Sequence, residues 1–255
     1  MRKIIITGVA LTALSFSDAA AAWSLLASYP TPGPNPRGCA GYSDYQSYIV
    51  QDGTPPFIYY MYWPTGSVYA SFQAPGGPGA CGLFYNTGML IITNKVNSFI
   101  YSITTGGSLI SSFMCPVAGP GDLGYYTSYG SNYGSYVFIA IPAQNKIAVV
   151  DMNSGSLLGS FAAPGTYPTA YDGHYPSPYY VADSQAHAVY GVVSGITQEI
   201  ITGIQNPVGM DALWLMNNSV RELAVVDDAT DRIYIYRNPS AVEPASWGTL
   251  KVLFR

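Results

Sequence analysis

The chain reads as an all-β protein, a β-propeller of four-stranded blades, on three observations. The first is a repeat. Gly66 to Pro75 reads GSVYASFQAP, Gly107 to Pro116 reads GSLISSFMCP, and Gly155 to Pro164 reads GSLLGSFAAP. Trp23 to Pro32 (WSLLASYPTP), Gly195 to Pro207 (GITQEIITGIQNP) and Gly248 to Phe254 (GTLKVLF) are looser copies. The closing prolines Pro32, Pro75, Pro116, Pro164 and Pro207 lie 43, 41, 48 and 43 residues apart. A period of this length built from short β-rich runs marks propeller blades. The second observation is composition: 27 Gly, 19 Pro and 23 Tyr with only 9% charged residues. Turn formers spread among β-branched and aromatic runs suit many short strands with tight connections. The third is that strand character depends on place in the repeat. The runs MLII, VFIAI, YYVA and LAVV are continuously apolar, as when both faces are buried between blades. The GSLISSF type alternates, as on an outer edge with one wet face.

Taken in order, residues 1–22 read as a secretory signal peptide. Arg2 and Lys3 form a basic start, Ile4 to Phe16 is apolar, and Ala20-Ala21-Ala22 fits a cleavage site. The propeller domain is expected over 23–255, with no later run apolar enough to span a bilayer. Trp23 to Tyr29 is an outer-strand copy without preceding strands, followed by a stiff connector at Pro30, Pro32, Pro34 and Pro36. Unit one runs to Pro75, unit two to Pro116, unit three to Pro164 and unit four to Pro207. Unit three carries a Tyr/Ser/Gly-rich insert around Ser128 to Ser135, and unit five follows Pro207. Five blades are expected, with six the alternative. The Trp23 strand is expected to pair with the last blade, beside or instead of GTLKVLF, so that one blade joins both ends and no open sheet edge is left.

Loss of Arg2, Lys3 and Asp18 with the signal shifts the formal charge from −4 to −5. A mildly acidic chain argues against nucleic acid or anionic lipid as partner. Export permits a disulfide, and Cys39, Cys81 and Cys115 leave two readings open: one bridge, most simply Cys81 with Cys115, or buried free thiols.

The stretches YYVADSQAHAVYGV (Tyr179 to Val192) and LAVVDDATDRIYIY (Leu223 to Tyr236) carry a family resemblance. In each a β-run ends in Asp, a short turn follows, and an Ile/Val-Tyr strand returns. This resembles the repeat of NHL and YVTN-type propellers. That group includes binding scaffolds, lyases and lactonase-like enzymes, so the resemblance implies a fold far more than an activity.

Aligning the units on Gly41, Gly82, Gly124, Ala170 and Gly209 proposes the residues that ring the channel mouth where the inner strands start. The expected ligand contacts are Tyr42, Asp44, Tyr125, Tyr171, Asp172, His174 and Asp211, with Asp122 also in the ring. Asp172 and Asp211 share an offset in adjacent units, so their carboxylates are expected to approach one another. Such a pair could hold Ca²⁺ with carbonyl oxygens, share a proton, or cap backbone amides. Asp52, Asp183 and Asp227 are expected to form turns, and His187 to sit in one. No nucleophile elbow, zinc-protease helix, phosphate loop or dinucleotide fingerprint is present. The expected function is therefore a secreted, non-enzymatic binding or scaffold module, periplasmic, extracellular or at the cell surface, for a protein, peptide or glycan. The alternative is a lyase or lactone hydrolase using Asp172, Asp211 and His174 around a divalent cation.

Overall fold

A computed structural model describes residues 23–43, 46–62, 65–86, 88–125, 136–173, 179–193, 195–214 and 220–238. These form five four-stranded antiparallel sheets. Blade 1 holds β2 (Pro36–Ser43), β3 (Gln46–Gln51), β4 (Phe57–Tyr62) and β5 (Ser67–Gln73). Blade 2 holds β6 (Ala80–Asn86), β7 (Met89–Asn94), β8 (Phe99–Thr104) and β9 (Leu109–Met114). Blade 3 holds β10 (Leu123–Tyr125), β11 (Tyr136–Ile141), β12 (Lys146–Asp151) and β13 (Leu157–Ala162). Blade 4 holds β14 (Pro168–Gly173), β15 (Tyr179–Asp183), β16 (Ala188–Val193) and β17 (Ile196–Thr202). Blade 5 holds β18 (Pro207–Trp214), β19 (Val220–Asp227) and β20 (Arg232–Arg237), and its outer strand is β1 (Ser24–Pro30). The fold is the expected five-bladed propeller. β1 pairs antiparallel with β20 from Ser24 opposite Arg237 to Pro30 opposite Arg232, so the N-terminal strand closes the ring. The GTLKVLF copy lies outside the described residues. Among the described residues no helix is long and apolar enough to cross a membrane.

The burial of each strand follows its place in the blade. The second strands are buried almost throughout, as in β7 and β15. The outer strands β5, β9 and β13 are exposed except at one position, which holds Phe72, Phe113 and Phe161. Each of these rings packs inward onto the core between blades. The glycine that opens the next outer strand has two reasons to be glycine. Gly107 and Gly155 take φ of +88° and +69°, and a Cβ there would stand 2.7 and 2.9 Å from the rings of Phe72 and Phe113. The repeated motif thus encodes both a hairpin turn and a seat for the preceding blade's phenylalanine.

A second repeated device closes the turn after the second strand. Asp183 Oδ1 accepts the backbone N–H of Gln185 and Ala186, while its Oδ2 accepts those of Thr166 and Tyr167 in the lead-in to the inner strand. Burial opposes its ionisation, but these four donors outweigh it and hold the carboxyl below its usual range. Asp227 ties Ala229 to Gln205 and Asn206 in the same way. Asn94 does so in blade 2, with its amide oxygen on Val96 and Asn97 and its amide nitrogen on the carbonyls of Gly77 and Pro78. Asp52 differs: its Oδ1 accepts the N–H of Gly79 in the next blade's lead-in. His187 sits in the turn as expected, with φ of +57° and Nδ1 against the carbonyl of Gln205. The cysteines take the second of the two readings. All three are buried free thiols, and Cys81 is not bonded to Cys115.

Candidate functional site

Each inner strand begins with, or in blade 3 directly follows, an equivalent three-residue step. It reads Pro36-Arg37-Gly38, Ala80-Cys81-Gly82, Pro120-Gly121-Asp122, Pro168-Thr169-Ala170 and Pro207-Val208-Gly209. In blades 1, 2, 4 and 5 the pairing register slips across this step, a β-bulge that inserts the middle residue. In blade 3 Gly121 and Asp122 both bond Ala140, through Gly121 N–H to its oxygen and its N–H to the Asp122 carbonyl.

The five bulge residues, Arg37, Cys81, Gly121, Thr169 and Val208, all line one cavity of about 460 Å³. It opens at the face from which the inner strands start. Its rim comes from lead-in loops (Pro120, Tyr167, Asn206) and from the turns after the second strands (Lys95, Ala143, Ser184).

The third residue of each step packs tightly against its neighbours, and one of them, Asp122, also lines the cavity. Four blades place Gly or Ala there because the axis has no room for more. A Cβ on Gly209 would lie 2.6 Å from Gly38 Cα, one on Gly82 3.0 Å from Asp122 Cα, and one on Gly38 2.9 Å from Asp122 Oδ1. Blade 3 alone supplies a long side chain. Asp122 is 1% exposed. Its Oδ1 accepts the N–H of Leu83 (2.8 Å) and Leu123 (2.9 Å), and its Oδ2 accepts that of Met210 (3.0 Å). One carboxyl thus bridges blades 2, 3 and 5 across the axis. Burial raises it well above the usual carboxylate range, against the pull of these three donors.

Farther along the inner strands the two expected partners do meet. Asp172 and Asp211 hold the same place in adjacent inner strands, opposite Tyr180 and Ala224. Burial raises Asp172 well above its usual value, and the charge of Asp211 raises it further. Burial pushes Asp211 up to about 7. Each is anchored to the next blade: Asp172 Oδ2 accepts the N–H of Ala212, and Asp211 that of Gly41. Their chemistry is that of neutral or shared-proton acids sewing neighbouring blades together. Among the described residues no cluster of three or more His, Cys, Asp or Glu is placed to hold a metal ion.

The other nominated residues fall elsewhere. Tyr171 is fully buried, stacked between Phe138 and Tyr179 at ring-centroid distances of 5.0 and 5.6 Å, so its ring fills an inter-blade core. Tyr42 and Tyr125 lie near the far ends of β2 and β10, away from the mouth, and their side chains lie outside the description. Asp44, His174 and the Tyr-rich insert at 128–135 lie outside the described residues. Of the residues that line the cavity, the sequence reading placed Asp122 in the ring but not the five bulge positions, although the short Pro- or Ala-led step marks them.

Charge at the mouth is local and paired. Arg37 donates through Nη1 to Asp228 Oδ2 at 2.6 Å, and Lys95 Nζ lies 3.3 Å from Asp52 Oδ2. The Arg37 Nε is buried without a hydrogen-bond partner. The cavity therefore offers two cationic groups along blades 1 and 2 and an apolar wall of Pro120, Pro142 and Ala143 along blade 3.

No protein-family profile matches the chain, and no curated protein sequence matches it. Solved structures do. Glutaminyl cyclase of Myxococcus xanthus superposes with a TM-score of 0.63 at 8% identity, over 84% of this chain and 95% of that one. The WD40 β-propeller domain of Doa1 gives a TM-score of 0.55 at 11% identity, over 86% and 97%. At these identities the likeness shows the fold alone: this chain is a β-propeller, similar in architecture to proteins of different activities.

Proposed function

We propose that the chain is an exported propeller that serves as a binding or scaffold module, with its ligand seated in the cup formed by the five bulge residues. One observation carries this reading. Five equivalent positions, one per blade, converge on a single concavity that Asp122 also lines, with Gly38, Gly82 and Gly209 packed close about that residue or one another. A cavity with two cations, several hydroxyl and amide groups and one apolar wall can orient a small ligand or the tip of a larger one. The bulge residues differ in chemical type (Arg, Cys, Gly, Thr, Val), and three of them also tie neighbouring blades: Arg37 donates to Asp228, Thr169 Oγ1 to the Pro207 carbonyl and Cys81 Sγ to that of Pro120. The N-terminal signal pattern and the low charge support work outside the cytoplasm, and the NHL-like repeat supports a scaffold origin. Peptide, protein surface and glycan remain the partner classes of choice.

The test is a panel of peptides and oligosaccharides read by thermal shift, with binders confirmed by calorimetry. Ser184→Trp and Ala143→Trp fill the rim from two sides without entering the core. A binder of the cup should lose at least tenfold in affinity to each. Equal affinity for the parent and both variants would place recognition elsewhere and overturn the reading.

A further inference from the structure

The charged groups of the cup differ in how far they are already paired, and that difference selects a ligand. We infer that the cup takes a carboxylate on a short apolar body, with its charge on Lys95 and Arg37 and its body on Pro120, Pro142 and Ala143. The inference rests on the cup being the ligand site proposed above. A small free carboxylic acid and the C-terminal end of a peptide share this chemistry.

Three observations carry this. First, the two cations stand together. Lys95 Nζ and Arg37 Nε lie 3.3 and 4.0 Å from the same oxygen, Asp52 Oδ2. Their carboxylate partners are themselves fixed, Asp52 by the N–H of Gly79 and Asp228 by the side-chain amide of Asn206. The cations are therefore held in place before a ligand arrives. Second, donors remain open while the charged acceptors are used. An ammonium has three N–H groups, and Lys95 has one ion-pair partner among the described residues. Arg37 Nη1 is taken by Asp228, but Nη2 has no hydrogen-bond partner among the described residues. Asp52 is taken through both oxygens and Asp228 through Oδ2, while Asp228 Oδ1 is buried. A cationic ligand must displace Lys95 or Arg37 from a carboxylate, whereas an anionic one meets charged N–H groups ready to donate. Third, Pro120, Pro142 and Ala143 give the wall along blade 3 an apolar surface, in a cavity of about 460 Å³, the size of a small-ligand site. Burial raises Asp122 well above the usual carboxylate range, so the carboxyl that lines the cavity opposes an anion less than an exposed aspartate does. The ion pairs cancel in net charge, so binding rests on open donors rather than on surplus positive charge and is weak.

Calorimetry on the full chain tests this with two matched pairs of probes. One pair is butyrate and butyramide. The other is the N-acetylated tripeptide Ala-Ala-Val as the free acid and as the C-terminal amide. At least one acid should bind about tenfold more tightly than its amide. Lys95→Met should cut that preference at least threefold and Lys95→Arg should restore it. Tm should stay within about 2 °C in both, since a partly exposed ion pair contributes little. Binding of only one acid upholds the inference and tells a free acid from a chain terminus. Acid and amide of equal affinity, both weakened by Ser184→Trp and Ala143→Trp, overturn the carboxylate and leave the cup standing. An acid that binds the parent and both tryptophan variants alike overturns the cup and the carboxylate together. An acid preference that Lys95→Met leaves intact overturns the inference. So does a failure of both acids to bind up to about 10 mM, while the cup is then judged by the wider panel of peptides and oligosaccharides.

Discussion

Replacing Asp122 should show how much of the ring is held at its axis. The carboxyl accepts three backbone N–H groups, from Leu83, Leu123 and Met210, at 2.8 to 3.0 Å. Asp122→Ala orphans all three. A buried donor without a partner costs about 1–3 kcal/mol, which for three gives roughly 3–9 kcal/mol. Two effects pull toward the lower end. The cup lies directly above, so water can follow the missing side chain down to the amides. The variant also escapes the burden of burying a carboxyl that solvation would otherwise favour. About 3–4 kcal/mol is the expected loss. For a domain of this size each kcal/mol moves Tm by about 2–4 °C, so Tm should fall by roughly 6–16 °C. Asp122→Asn separates hydrogen bonding from mere shape. Its amide oxygen can still accept from Leu83 and Leu123, but its NH₂ then meets the Met210 N–H donor to donor. One orphan in place of three predicts a loss of about 1–3 kcal/mol. The assay is thermal unfolding at one pH, with hydrogen exchange at the three amides. A stability order of parent, Asn, Ala is expected, with exchange rising first at Met210. An Ala variant within about 2 °C of the parent, or an Asn variant as unstable as Ala, would refute the claim that this carboxyl acts as an axial clamp.

Four further outcomes are expected. Asp211 is held up to about 7 by burial, so the folded state binds its proton more tightly than the unfolded state does. The stabilisation is full below about pH 4 and is lost as pH rises through 7, at no more than about 1.4 kcal/mol per unit. Tm should therefore fall between pH 5 and 8, Asp172 should add to the slope in the same direction, and Asp211→Asn should flatten it; a Tm that climbs over this range contradicts the assignment. Gly209→Ala should cost about 1–3 kcal/mol or more because its Cβ meets the backbone at Gly38 Cα and Arg37 O, whereas Gly159→Ala on β13 meets nothing within 4 Å and should be neutral in the same melt. Deleting residues 23–30 removes the β1–β20 pairing and uncovers the core that Tyr29 flanks, and should lower Tm by more than 10 °C. Millimolar Ca²⁺ should leave Tm unchanged, since Asp172 and Asp211 already face backbone donors; a rise of several degrees would return the pair to a metal-binding role.

The architecture was legible because each of its signals is local. The Gly that opens an outer strand and the Phe that closes it lie within one short segment, and their packing partners are the next copy of the same segment, as Gly107 and Phe72 show. The continuous apolar run of a second strand is visible without knowing its neighbours. The Asp that ends it caps the amide two residues on, as Asp183 and Asp227 do, and Asp183 caps the third as well. The cup was legible in place but not in its residues. Aligning on glycine alone put unit one at Gly41 and unit three at Gly124. The pairing with the second strand instead sets Gly38 opposite Val50, and the axial place in blade 3 belongs to Asp122. Two glycines in one strand look alike in sequence; which of them faces the axis is decided by a register made with another strand. Tyr171 was misread for the same reason. It is adjacent to Asp172, and a period of two sends neighbours to opposite sides, Asp172 toward Ala212 of blade 5 and Tyr171 into the core shared with blade 3.

The seam between the first and last blades is tied at four places. It is held at the perimeter by β1 on β20, and at the axis by Asp211 on Gly41 and by Gly209 packed on Gly38. At the mouth it is held by Arg37 on Asp228. Arg37 is at once a wall of the cup and a tie across the seam. A ligand that draws the guanidinium inward must compete with Asp228, and so must loosen one of the four ties. A ligand that leaves that pair intact adds its contacts without removing one. The cost of breaking that tie is already inside the measured Kd, so the thermal shift follows the affinity in both cases. Asp228→Ala tells the two apart: it should tighten binding of a ligand that competes for the guanidinium and leave a ligand of the second kind unchanged.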